Sequence, residues 1–145
     1  NYVIQVTSVV DANGCAIPQT VLDNYYYFDV TIYPQPNPFF TIDDTPLVEQ
    51  QSYEYCFDVS EIMLALVETN TVGDAPFDIS FTVNDGPAND FTGVEFGDEI
   101  DLLTYTGTTP GNYVIQVTSV VDANGCAIPE SVLNNYYYFD LTINP

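Results

Sequence analysis

NYVIQVTSVVDANGCAIPQTVLDNYYYFDVTIYP, residues Asn1–Pro34, returns at the end of the chain as NYVIQVTSVVDANGCAIPESVLNNYYYFDLTINP, residues Asn112–Pro145. The copies differ at five of 34 positions, Gln19/Glu130, Thr20/Ser131, Asp23/Asn134, Val30/Leu141 and Tyr33/Asn144, at a constant offset of 111 residues. Self-similarity at a fixed long period marks an array of folded units. The chain therefore reads as a window on a longer tandem protein. Residues 1–34 are expected to be the C-terminal strands of a preceding repeat, and residues 35–145 one complete repeat. A unit of 111 residues has the size of an ordinary domain and can bury a core without a metal or cofactor.

Within the repeated stretch, Tyr113, Ile115 and Val117 alternate with Val114, Gln116 and Thr118, which predicts a strand over Tyr113–Val121 and over its copy Tyr2–Val10. Asp122-Ala123-Asn124-Gly125-Cys126 supplies turn chemistry, since Asn and Gly tolerate positive φ and Asp bonds nearby backbone. Val132–Ile143 reads as a second strand, centred on Tyr136, Tyr137, Tyr138 and Phe139. Four consecutive aromatics on a strand put two on each face. One pair is then either core with hydroxyls reaching water, or a contact surface for another filament strand or for sugar.

Working outward, Pro34-Gln35-Pro36-Asn37-Pro38 is a stiff connector between repeats. Phe39–Asp43 is expected as a short edge strand, broken by Asp43-Asp44-Thr45-Pro46. Ser60–Glu68 has helical propensity, yet Ile62, Leu64 and Leu66 line one face and the segment is read as a strand. Phe77–Asn84 alternates most cleanly, with Phe77, Ile79, Phe81 and Val83 inward. Asp85-Gly86-Pro87 is a turn, and Phe91–Phe96 and Glu99–Thr106 are two further strands. Seven or eight strands at this spacing, with no helix, predict an all-β antiparallel sandwich.

Charge narrows the function classes. The chain carries 21 Asp and Glu and no Lys, Arg or His. Nothing in it neutralises phosphates, which argues against nucleic acid, and an anionic membrane would repel it. No apolar run approaches the roughly 20 residues that cross a bilayer. Side-chain ion pairs are impossible, so cohesion must come from burial, hydrogen bonds, disulfides or bound cations. Trypsin-type proteases find no site to cut, which suits a long-lived extracellular object. Catalysis would have to rest on carboxylates, and the clusters Asp98, Glu99, Asp101 and Asp43, Asp44 are what chance supplies in so acidic a chain. No enzyme is expected. Calcium is the one cofactor considered, with Asp122, Asn124, Asn84, Asp85 and Asp90 as oxygen donors.

Cys15 and Cys126 are one position seen twice, so each repeat owns two cysteines, an even count that suits a disulfide. Zinc is disfavoured because no His and no CxxC pair occurs. Cys56 can pair with Cys126 in its own repeat or with Cys15 in the one before.

Ala75-Pro76-Phe77, Asp85-Gly86, Pro110-Gly111-Asn112-Tyr113 and Ser119–Cys126 together resemble the immunoglobulin-like repeats of very large Bacteroidota surface proteins. The resemblance covers most of residues 50–145 and implies an immunoglobulin-like sandwich and a secreted, cell-surface role. It also implies a Cys56–Cys126 disulfide, since those repeats carry one Cys ahead of a long strand and another in a D-x-x-G-C turn. The chain departs from that family in lacking every Lys and Arg. The expected function is a structural repeat of a long extracellular filament or cell-surface stalk, touching neighbouring repeats and other copies of the chain. The alternative is an adhesin or carbohydrate-binding ectodomain that uses the Tyr-rich strand.

Overall fold

A computed structural model describes residues 1–47 and 51–145, which divide into two compact units, Asn1–Tyr33 and Pro34–Pro145. The first unit is a two-stranded hairpin, β1 (Tyr2–Gln5) and β2 (Tyr27–Val30), with the helix α1 (Gln19–Tyr25) between them. Only Leu22 of its large apolar side chains is sealed from solvent, at 1% exposure.

The second unit contains β3 (Asn37–Ile42), β4 (Thr45–Pro46), β5 (Ser52–Cys56), β6 (Met63–Val72), β7 (Phe77–Val83), β8 (Asn89–Val94) and β9 (Glu99–Asp101). A helical turn α2 (Leu103–Thr106), β10 (Gly111–Val121), α3 (Glu130–Tyr136) and β11 (Tyr138–Asn144) follow. Two sheets form, ordered β4-β3-β6-β9 and β5-β11-β10-β7-β8. Every pairing is antiparallel except that of β5 with β11, which is parallel.

One core lies between the sheets. Phe40, Ile42, Leu64 and Leu66 from the first meet Ile79, Phe81, Ile115, Val117, Phe139 and Leu141 from the second. The period-2 pattern accounts for this: Phe77, Ile79 and Phe81 are buried while Asp78 is exposed. In β10 the phase breaks between Val117 and Ser119, where a register shift against β7 brings Val120 inward. Of Ser60–Glu68, residues 63–68 are strand rather than helix, within β6, while Ser60, Glu61 and Ile62 precede it; Ile62, Leu64 and Leu66 are all buried.

Four readings are corrected. The fold is mostly β-strand, as expected, but it is not free of helix: α1, α2 and α3 interrupt it. Val132–Ile143 is not one strand. Pro129 opens a seven-residue helix, and Leu133 anchors that helix in the core at 2% exposure. Glu99–Thr106 splits after Asp101, whose Oδ1 accepts from the Leu103 N–H at 3.0 Å and so turns the chain into α2. Phe39–Asp43 is also less of an edge than expected, because β4 pairs along the outer side of β3.

Candidate functional site

The repeated Asp-Ala-Asn-Gly-Cys turn is closed by hydrogen bonds of its own. Asp122 Oδ1 accepts from the backbone N–H of Asn124 (3.0 Å) and of Cys126 (2.9 Å). The Gly125 N–H donates to the Asp122 carbonyl at 2.9 Å, with Gly125 at φ +76°, a conformation that L side chains rarely adopt. The same turn recurs at Asp11, whose carboxyl is held below its ordinary value by the N–H of Cys15 first and of Asn13 second. In the second unit the turn is tied to the 73–76 loop: Ala123 N–H donates to the Asp74 carbonyl (2.9 Å) and Asn124 Nδ2 to Asp74 Oδ2 (2.7 Å). Asp122 is 5% exposed, and its Oδ2 is buried with no hydrogen-bond partner.

Register separates the residues considered as calcium ligands. Val121 pairs with Asp78, so Asp122 and Asn124 lie past that end of β10. Ile115 pairs with Val83, so Asn84 and Asp85 lie toward its other end. There Asn84 Oδ1 accepts from the Val114 N–H at 2.7 Å, while Asp90, opposite Ser80 and so level with Ser119, has its Oδ1 taken by Ser80 Oγ at 2.7 Å. These five residues do not converge on one point. Among the described residues no group of three or more Cys, Asp or Glu side chains is arranged to hold a metal ion.

Register separates Cys56 from Cys126 in the same way. Cys15, Cys56 and Cys126 are all free thiols. Cys56 pairs across from Asn144, beside the Gly111 end of β10, whereas Cys126 follows the Val121 end. An eleven-residue strand spans roughly 33 Å, and a disulfide needs Cα atoms within about 7 Å. Cys56 and Cys126 are at opposite ends of the sheet and cannot bridge without rebuilding it.

The aromatic run is divided between the end of α3 and the start of β11. Tyr136 ends α3, and its side chain lies outside the described residues. Tyr137 is the helix C-cap, half-buried, and its hydroxyl donates to Asn37 Oδ1 at 2.6 Å. Tyr138 begins β11 half-buried, and Phe139 is sealed in the core at 1% exposure against Tyr53. Among the described side chains, Tyr137 and Phe139 thus go to different partners, Asn37 and Tyr53.

The acidic clusters serve the backbone. Asp98 Oδ2 accepts from the Glu95 N–H, and Asp101 Oδ1 from those of Ile62 and Leu103. Asp43, beside Asp44, Glu61 and Glu99 in an acidic groove, accepts from Met63 N–H (2.8 Å) and Tyr55 hydroxyl (2.6 Å). Burial first, and then that bond to Asp43, pushes the Tyr55 phenol well above its ordinary range.

Sequence reading missed two polar anchors. Gln116 Nε2 donates to the carbonyls of Val117, Leu133 and Tyr137 at 2.9, 2.9 and 3.1 Å, closing the last turn of α3 onto β10. Tyr113 hydroxyl donates back to the Thr109 carbonyl at 2.8 Å, pinning the corner that leads into β10. A Tyr two residues into a strand that follows Pro-Gly is the signal that was available for the second. For Gln116 there is none without knowing that α3 exists. Among the described residues no helix is long and apolar enough to cross a membrane. No protein-family model matches the chain, and no curated protein matches it.

Proposed function

We propose that this chain is a structural repeat of a long extracellular filament or cell-surface stalk, built of immunoglobulin-like sandwiches joined head to tail. The observation that carries the reading is polarity. Pro36 packs by Gly73 and Phe77, level with the Val121 end of β10, whereas Asn144 pairs beside the Gly111 end. Chain enters the second unit at one end and leaves at the other. Residues 31–36 separate β2 from β3, and the Pro34-Gln35-Pro36 stretch within them favours an extended connector.

The immunoglobulin-like assignment is supported by strand order. β3, the long β6 and the short β9 share one sheet, β7, β8, β10 and β11 share the other, and the early strand β5 pairs parallel with the final one, β11. The Tyr113 corner is a further mark of such sandwiches. Near-identity of the two copies, exposed positions included, fits a spacer, which gains from sameness.

Electron microscopy of the native assembly tests the reading. Fibres with an axial repeat of about 40 Å, one strand length plus a connector, are the expected result. Isolated flexible stalks that bind only in the presence of sugar would overturn it in favour of an adhesin.

A further inference from the structure

The first unit leaves open a face that the second unit closes with the same residues. Ile4, Phe28 and Ile32 are 46, 53 and 70% exposed, while their counterparts Ile115, Phe139 and Ile143 are 0, 1 and 1% exposed. In the second unit the hairpin β10–β11 is flanked by β7, antiparallel along β10, and by β5, parallel along β11. Its inner face rests on the sheet of β3 and β6. Every element that does the covering comes from residues 35–111.

In the second unit that place, between β5 and β7, is already held by β10 and β11.

We infer that residues 1–34 are an acceptor for a second opening half, a segment with the sequence pattern of residues 35–111 belonging to another repeat. The register follows from the internal copy. Residues 2–10 take a β7-type strand antiparallel, with Ile4 opposite a Val83 position and Val9 opposite an Ile79 position, as Ile115 and Val120 do. Residues 27–33 take a β5-type strand parallel, with Val30 opposite a Tyr53 position and Ile32 opposite a Tyr55 position, as Leu141 and Ile143 do. None of the five differences between the copies disturbs this: the only one on the inward face is Val30 for Leu141, which stays apolar. The inference rests on the tandem-repeat reading and assigns the joint by which a repeat is completed.

The test uses the full chain and the full chain with an extra copy of residues 35–111 fused ahead of Asn1, compared by amide hydrogen exchange. In the 145-residue chain, amides of residues 4–10 and 28–32 exchange quickly. In the extended chain they slow by roughly 1000-fold or more, approaching residues 115–121 and 139–143. Unchanged exchange there overturns the inference. So does slow exchange in the 145-residue chain that appears with concentration, which would mean that two hairpins cover each other. An Ile4→Asp variant of the extended chain is expected to lose protection in the upstream repeat alone. Protection without fibres in the native material would leave this inference standing and remove the filament; fibres without protection would do the reverse.

Discussion

Phe28 and Phe139 sit in the same sequence, 111 residues apart, yet one is half exposed and the other sealed. What the two regions share is local. Asp11 and Cys15 close the same turn as Asp122 and Cys126, each with an N–H to carbonyl bond of 3.0 Å. Tyr26 bonds back to Leu22 as Tyr137 does to Leu133, and Val6 bonds to Tyr26 as Val117 does to Tyr137. What they do not share is strand. β1 has four residues where β10 has eleven, and β2 has four where β11 has seven. Turn and helix are dictated by neighbours in sequence. Strand length is dictated by partners, because a pleated backbone is satisfied only by another strand and its side chains only by a covered face.

The largest effect that would break this comparison is a pair of truncations. Phe139→Ala is expected to cost the second unit about 3–5 kcal/mol, the usual toll for emptying a packed aromatic site. Phe28→Ala, the same change in the open copy, should stay within about 0.5 kcal/mol. Urea unfolding followed by circular dichroism reads both. Similar losses for the two would mean that the first hairpin is covered after all.

Legibility in the sequence divides along the same line. Strands with a strict two-residue alternation, Phe77–Val83 above all, could be read directly, because that pattern is itself the record of a covered face. So could the turn at Asp122–Cys126, whose Asn-Gly pair states its backbone requirement. The helix over Glu130–Tyr136 was masked by the aromatics that follow it, which favour a strand; its copy over Gln19–Tyr25 forms without the sandwich core, with Leu22 buried as Leu133 is. The candidate site suffered most. Cysteine count and spacing suggested a bridge, but which end of a sheet each cysteine occupies depends on strand register, and register was invisible. The four aromatics looked like a platform only while they were assigned to one strand.

A smaller contrast concerns the turn aspartates. Asp122→Ala deprives the N–H groups of Asn124 and Cys126 of their acceptor in a half-buried setting, for an expected loss of about 1–3 kcal/mol. Asp11→Ala removes the same two bonds where water replaces them, and should destabilise far less. The lowered value of Asp11 adds a pH signature. A depressed carboxylate contributes stability above its unfolded value of 3.8 and loses it as pH falls through the folded one. The first turn should therefore loosen only below about pH 4, which the amide resonances of Asn13 and Cys15 would report.

At the alkaline side Tyr55 sharpens the picture of the second unit. Its phenol is raised above 10.0 by burial and by donating to Asp43. A raised value favours the protonated form in the fold, so the stabilisation is complete below pH 10 and drains away as pH rises beyond it. Alkaline unfolding should begin just above that point. Tyr55→Phe has no proton to lose, and its stability should fall less steeply there, at the cost of about 1 kcal/mol at neutral pH for the missing bond. A variant and parent with parallel alkaline profiles would show that the Tyr55–Asp43 contact is not maintained.

The smallest expected effect is none at all, and it discriminates well. With Cys56 and Cys126 at opposite ends of one sheet, a reductant has no intramolecular bond to cut, and the melting temperature of the chain should move by less than about 1 °C. Had the two been joined, the closed 70-residue span would contribute about 4 kcal/mol, and reduction would lower the melting temperature by well over about 10 °C. Alkylation gives the complementary reading. Cys15 and Cys56 are exposed and Cys126 is partly covered by its turn, so iodoacetamide should label all three without prior reduction, Cys126 last. A chain that resisted labelling until reduced would overturn the registers of β5 on β11 and β11 on β10 together, because those two pairings are what hold the thiols apart.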